Sequence, residues 1–295
     1  MLILSPSPAT FSLIFIFILF LTCVLNSALT LYYEIHARIV TIITTVYLLP
    51  IILRLLMPSA PTQQTIPQAL VHTQQRINEA CQAAGRSTQD VTLLAVSKTK
   101  PLSDVIEAYD HGQRHFGENY LQDALHKIEH CPHGDIEWHF IGAIQSNKTK
   151  SIAAYFDWVH TLDRGKVARL LSQHRPPHLP PLKVLIQVNI SNESNKSGVV
   201  LEQLEELVRQ VSQLPNLLLC GLMCIPAADG TELTQHHAFN TMAAARDQLN
   251  HSYPQITQLS MGMSGDLTSA IACGSTMVRV GTDIFGARNT LNPQP

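Results

Sequence analysis

The sequence predicts an α/β fold of the (β/α)8 type, the TIM-barrel architecture, and three observations support this prediction. From residue 67 onward, short runs rich in Val, Ile and Leu alternate with amphipathic segments, as in βα units around a parallel sheet. Eight such runs occur in roughly 230 residues, close to the usual size of this barrel. An open doubly wound sheet is the alternative, but no Gly-x-Gly-x-x-Gly motif follows the first run to support it.

The predicted strands are short and apolar, and each is followed by a more polar segment. They cover residues 92–97, 115–118, 138–142, 158–162, 183–190, 217–225, 258–263 and 277–280. This count of eight is what distinguishes a closed barrel from a smaller open sheet.

The segments between the strands carry apolar residues at the three-and-four spacing of a helix with one buried face. The clearest case is the stripe formed by Leu201, Leu204, Leu207, Val208 and Val211. Further helices are predicted over residues 68–83, 102–111, 120–129, 166–172, 236–249 and 267–272. The first of them precedes the first strand.

Residues 1–57 differ in composition from the rest of the chain. Residues 1–33 contain no Asp, Glu, Lys or Arg, and the run 11–33 is long enough to cross a hydrocarbon core as a helix. A second apolar run at 39–57 follows the polar link 34–38. These features predict a membrane hairpin of two spans, and an upstream stretch added by a misplaced start codon or a gene fusion is the alternative.

A polar, proline-containing linker at residues 58–66 separates this block from the predicted barrel domain at 67–295. The chain has a net charge of −2, so a nucleic-acid-binding surface is not expected. The six cysteines lack the paired C-x-x-C spacing of a zinc or redox site, which favours reduced thiols in a cytoplasmic barrel. Membrane contact is expected only through residues 1–57.

Lys98 directly follows the first predicted strand. Functional groups of barrel enzymes lie at the C-terminal ends of the strands, so this position has two interpretations. The side chain is either a solvated lysine, like Lys100, or an amine that partial burial makes reactive toward an aldehyde.

A second group of residues follows strands seven and eight, whose loops often form a phosphate site in this fold. Ser264 is placed to cap a helix that begins near Asp266, where backbone N–H groups would face an anion. Gly281 permits close approach of the backbone, and Arg279 supplies positive charge. A phosphate anchor here, with an amine on strand one, is what a pyridoxal phosphate site would need.

Five motifs occur in order along the predicted barrel. They are LLAVSKTKP at 93–101, FGENY at 116–120, WHFIG followed by QSNK at 138–148, SMGMS at 260–264, and VRVGT followed by FGAR at 278–288. Together they resemble the pyridoxal phosphate homeostasis proteins over about residues 67–290. The resemblance implies a TIM barrel of the alanine racemase N-terminal type that binds pyridoxal 5'-phosphate (PLP) and has no established turnover.

The resemblance also implies roles for individual residues. Lys98 matches the lysine that holds PLP as a Schiff base. The positions that match the phosphate end are Ser264, Arg279, Gly281 and Thr282. The positions that match the surroundings of the cofactor ring are Asn119 and His139. No catalytic residue and no metal ligand is implied, and Gly265 departs from the family, which usually has an acidic residue there.

The expected function is therefore PLP homeostasis by a protein that binds PLP and buffers it or delivers it to PLP enzymes lacking their cofactor. The alternative is a PLP-dependent racemase or decarboxylase, which would need a second domain to supply an acid or base. The chain ends at Pro295, so no such domain is expected. A monomer or weak dimer is expected.

Overall fold

The computed structural model divides the chain into two compact units, Met1–Gln63 and Gln64–Pro295. The residues that it describes are 8–42, 45, 64–193, 196–227 and 230–287.

Among its described residues, the first unit contains a long helix, α1, over Pro8–Ile42. This helix continues through residues 34–38, where the hairpin required a turn, because these residues include neither Gly nor Pro to interrupt it. The predicted turn is therefore wrong. Within the described ranges, no helix is long and apolar enough to span a membrane, and the predicted hairpin is not supported. Most of the second apolar run, 39–57, lies outside the described residues.

The second unit contains a closed barrel of eight parallel strands in sequential order, which confirms the predicted architecture. The strands are β1 (Thr92–Val96), β2 (His115–Glu118), β3 (Glu137–Phe140), β4 (Trp158–Leu162), β5 (Leu182–Val188), β6 (Leu217–Cys224), β7 (Gln258–Ser260) and β8 (Met277–Val280). Strand β1 pairs with both β2 and β8, and this last pairing sets Leu94 opposite Arg279. Because the sheet closes on itself, all the C-terminal strand ends meet at one mouth.

Helices connect and surround the strands. They are α2 (Ile66–Ala83), α3 (Leu102–Asp110), α4 (Leu121–His130), α5 (Thr149–Tyr155), α6 (Gly165–His174), α7 (Leu201–Ser212), α8 (Glu232–Ser252), α9 (Leu267–Ala272) and α10 (Thr282–Phe285). The sequence did not predict α5 or α10, because helices of one or two turns are too short to show a periodic apolar face.

The predicted apolar stripe of α7 shows how the helices pack on the barrel. Leu204, Leu207, Val208 and Val211 are buried against the strands, whereas Leu201 is 36% exposed in the first turn. Each fully buried side chain of this kind stabilises the fold by roughly 1.5–3 kcal/mol. The same layer of contacts between helices and strands continues around the barrel and leaves its C-terminal mouth open.

Candidate functional site

A cavity of about 340 Å³ opens at the C-terminal mouth of the barrel. This volume falls at the lower end of the range for sites that bind small molecules. All the predicted cofactor-binding residues except His139 line it: Lys98, Asn119, Ser264, Arg279, Gly281 and Thr282. Apolar side chains form the rest of its wall, among them Val96, Ile141, Met223, Ile225 and Phe285.

Lys98 lies in a tight turn directly after β1 and is half-buried. The next residue, Thr99, has the left-handed backbone conformation with a φ of 61°, which marks a sharp change of chain direction. The preceding residue is fixed from two sides, since the Ser97 hydroxyl donates to Glu118 Oε1 at 2.6 Å and Lys127 Nζ donates to the Ser97 carbonyl at 2.9 Å. These contacts hold the turn that presents Lys98 to the cavity.

The two residues that hold this turn form a buried ion pair. Lys127 Nζ lies 2.8 Å from Glu118 Oε1, and the two side chains are 2% and 0% exposed. Burial raises the pKa of Glu118, and the neighbouring Lys127 charge opposes that shift. Glu118 Oε1 therefore accepts from a hydroxyl and from an ammonium group. Lys127 gave no sequence signal, because it resembles any other lysine of an amphipathic helix.

Lys100 also lines the cavity, and its amine makes two hydrogen bonds to backbone carbonyls. Its Nζ donates to the carbonyl of Phe285 at 2.5 Å and to that of Ala287 at 2.9 Å. These bonds tie the turn after β1 to the end of α10.

The loops after β7 and β8 meet at one side of the cavity. Asp266 occupies the N-cap position of α9 and accepts from the backbone N–H of Met263, so the predicted capping by Ser264 is wrong. Ser264 lies two residues upstream, in the turn, and its N–H and that of Gly265 have no acceptor in the described part of the chain. Thr282 begins α10, where the first N–H groups of a helix have no intrahelical partner.

Arg76 on α2 joins these two loops. Its Nη2 donates to the Ser264 carbonyl at 2.7 Å, and its Nη1 donates to Asp283 Oδ2 at 2.6 Å. The ion pair is partly exposed, with side-chain exposures of 29% and 33%. No sequence pattern pointed to Arg76, because it precedes the barrel and meets the loops only in the folded chain.

Arg279 lies deeper, on strand β8 itself, and is 5% exposed. Its Nη1 donates to the carbonyl and the hydroxyl of Ser260, both at 2.7 Å, and its Nη2 donates to the Cys224 carbonyl at 3.0 Å. These bonds use three of the five N–H groups of a guanidinium. Among the bonds of the described residues, one N–H on Nη2 and the N–H on Nε have no acceptor.

The two residues predicted near a cofactor ring lie in different places. Asn119 lines the cavity, and its Oδ1 is buried without a hydrogen-bond partner among the described residues. His139 is fully buried inside the barrel, where its ring stacks on Trp158 at a centroid distance of 5.4 Å. Burial lowers the pKa of His139 well below its ordinary value. The structure thus brings Asn119 to the cavity and leaves His139 beneath it.

Comparison with known proteins agrees with this architecture. Residues 69–289 match the family described as "Alanine racemase, N-terminal domain". Two similar curated relatives are both named pyridoxal phosphate homeostasis protein. The relative from Vibrio alginolyticus is 52% identical over 76% of this chain and 98% of its own length. The relative from Escherichia coli K12 is 51% identical over 76% of this chain and 97% of its own length.

Similar solved structures include PipY of Synechococcus elongatus PCC7942. The structure without PLP has a TM-score of 0.68 and 34% identity, and covers 75% of this chain and 100% of PipY. The structure with PLP bound has a TM-score of 0.62 and 34% identity, and covers 71% of this chain and 100% of PipY. Alanine racemase from Clostridium difficile 630, at 12% identity and a TM-score of 0.60 over 76% of this chain and 58% of the racemase, shares the fold alone.

Proposed function

This chain belongs to the pyridoxal phosphate homeostasis protein family, and we propose that it binds PLP and buffers it or delivers it to PLP enzymes that lack their cofactor. One observation supports the proposal above the others. A single cavity collects the side chain of Lys98, two loops with backbone N–H groups that have no acceptor among the described residues, and the guanidinium of Arg279. An aldehyde with a phosphate group is a ligand that needs this combination.

The residues of the cavity fit the two ends of PLP. The cofactor supplies an aldehyde, which condenses with a lysine amine with loss of water to give a Schiff base. Lys98 is the proposed amine. Backbone N–H groups at Ser264, Gly265 and Thr282 are proposed to bind the phosphate, and the unpartnered Oδ1 of Asn119 accepts a hydrogen bond from the ligand.

Arg279 was expected at the phosphate end. Its guanidinium is held by Ser260 and Cys224 at the base of the cavity, whereas Gly281 and Thr282 lie beyond the end of β8. We therefore propose that the loops hold the phosphate and that Arg279 donates to the ring end of the ligand.

The direct test is the absorbance spectrum of the purified protein mixed with PLP. Covalent binding is expected to give a Schiff-base band that borohydride bleaches. A spectrum identical to that of free PLP would contradict the proposed function. The same band is expected from a chain that begins at Thr62, because we propose that the barrel domain of residues 67–295 carries the function without the preceding residues.

We also propose that the barrel lies in the cytoplasm. All six cysteines are free, which fits a reducing compartment. Burial raises the pKa of the Cys220 thiol to about 11 and that of Cys224 to about 12, so neither thiol is reactive at neutral pH.

Replacing Arg76 with glutamine is expected to weaken PLP binding about fivefold, because partly exposed charged contacts are worth about 1 kcal/mol. The loss should be much smaller for unphosphorylated pyridoxal, since Arg76 holds only the two loops proposed to bind phosphate. Arg279→Gln is the comparison variant and should weaken both ligands alike. Binding titrations of PLP and pyridoxal measure these ratios, and equal losses in Arg76→Gln would disprove the role of Arg76.

We propose that the protein is not a racemase or decarboxylase, although alanine racemases share its fold. The buried carboxyl of Glu118 accepts at Oε1 from Lys127 and Ser97, and Glu118 is not among the residues that line the cavity. The protein is expected to catalyse no exchange of the α-hydrogen of alanine with deuterium, as followed by NMR. PLP-dependent exchange above the level of a Lys98→Ala control would establish the enzyme interpretation instead.

A further inference from the structure

A chain of hydrogen bonds crosses the interior of the barrel from its N-terminal end to the cavity. His115 Nδ1 lies 3.2 Å from His139 Nε2, and His139 Nδ1 lies 2.9 Å from His160 Nε2. His160 Nδ1 lies 3.0 Å from the hydroxyl oxygen of Ser260, to which Arg279 Nη1 donates at 2.7 Å. The three residues between His115 and Arg279 are 0% exposed, so bulk water does not interrupt the chain: His139, His160 and Ser260.

The donor at the cavity end gives this chain a direction. A guanidinium only donates, so Ser260 accepts from Arg279. The Ser260 hydroxyl has no acceptor among the described residues other than His160 Nδ1, and leaving a buried hydroxyl unsatisfied costs free energy. His160 therefore carries its hydrogen on Nε2 and donates to His139, which in turn donates from Nε2 to His115.

The two inner imidazoles are neutral, as this direction requires. Burial lowers the pKa of both His139 and His160 well below the ordinary value, and the Arg279 charge acts in the same sense on His160. The two other histidines and the ammonium group of Lys183 also lower the pKa of His139. His115 is half-buried at the end of the chain, and burial lowers its pKa as well.

We propose that His139 and His160 are positioning residues for Arg279, and that their one-way chain fixes the Ser260 hydroxyl with its hydrogen toward His160 and its lone pairs toward the guanidinium. Arg279 then keeps its remaining N–H groups for the ligand in the cavity. If the chain ran in the opposite direction, His160 would donate to the same oxygen and the Ser260 hydrogen would lack an acceptor. This inference rests on the proposed function, because it concerns how Arg279 meets PLP.

The same region includes a group that could instead hold a metal ion. His115, Glu137 and His139 offer ligand atoms that lie within 4.8 Å of one another. However, Glu137 Oε2 already accepts from the Trp158 indole at 2.7 Å and from Lys183 at 3.1 Å. A nearby ammonium disfavours a dication, and both ring nitrogens of His139 already make hydrogen bonds within the chain. The hydrogen-bond chain therefore accounts for these contacts better than a metal site.

The first test needs no variant. Protein labelled with 15N in histidine, without ligand, is expected to show His139 and His160 as neutral Nε2–H tautomers across pH 6 to 8, a range set by the roughly 6.5 of a free imidazole. Either residue as the Nδ1–H tautomer would overturn the chain. Tight binding of Zn²⁺ that His115→Ala abolishes would also overturn it. Because this test uses no PLP, it still decides the chain if the proposed function fails.

The second test removes one link. Ser260→Ala deletes the hydroxyl but keeps the Ser260 carbonyl that also binds Arg279, so roughly tenfold weaker PLP binding is expected with the Schiff base still formed. The His160 tautomer should become mixed in the same variant. Ser275→Ala, which removes a buried hydroxyl outside the chain, is the matched control and should change neither measurement. Unchanged affinity and tautomer in Ser260→Ala would refute the positioning role.

Discussion

Replacing Lys98 with alanine is expected to abolish covalent attachment of PLP. Lys98 directly follows β1, lines the cavity and is half-buried. A lysine amine in the cavity wall is the nucleophile that Schiff-base formation with an aldehyde requires. After borohydride reduction, peptide mass mapping should find a pyridoxyl group on Lys98 in the original protein and none in Lys98→Ala.

The control for this experiment is Lys150→Ala, which removes an exposed lysine on α5. That variant should keep the adduct on Lys98. Lys98→Ala should still bind PLP weakly without a covalent bond, because the loops at Ser264 and Thr282 are unchanged. An adduct found mainly on Lys100 in the original protein would show that the reactive amine has been assigned wrongly.

The strand pattern of the sequence was sufficient to predict the barrel, because each strand is a local apolar run. Strands β2, β4 and β8 have the predicted bounds. Strand β7 ends at Ser260, before the predicted end at residue 263, because Gly262 adopts a φ of 97° that leaves the sheet. The residues in this extension are apolar, so composition alone could not place the end of the strand.

Sequence motifs identified the residues that line the cavity. They did not identify the residues that fix the surrounding loops and the turn in place. Arg76 and Lys127 act through partners in other elements, and such contacts leave no periodic pattern in the sequence. His139 was expected near the ligand because it matches a position near the cofactor ring in the family that the sequence resembles. Its place in strand β3 instead directs it into the barrel, where it contacts His115 and His160.

Replacing Lys127 with methionine is expected to lower the free energy of unfolding by about 3–5 kcal/mol, because it leaves the buried carboxylate of Glu118 without its charged partner. Glu118 is fully buried, and its contacts are with Lys127 and Ser97. The loss is measured as the change in the free energy of unfolding by urea. Adding Glu118→Leu to Lys127→Met should recover most of it, since the second substitution removes the unpaired charge.

The pH dependence of Lys127→Met separates an unpaired charge from a simple packing defect. Burial raises the pKa of Glu118 above its ordinary value of 4.5, and loss of the Lys127 charge raises it further. The folded variant therefore binds a proton that the unfolded chain has released, so its stability falls as pH rises above about 4.5 and is regained as pH is lowered toward that value. The Lys127→Met, Glu118→Leu double variant should lack this slope. If Lys127→Met loses the same stability at about pH 5 and at about pH 8, both above the ordinary 4.5 of a Glu carboxyl, Lys127 stabilises the turn before Lys98 by packing alone.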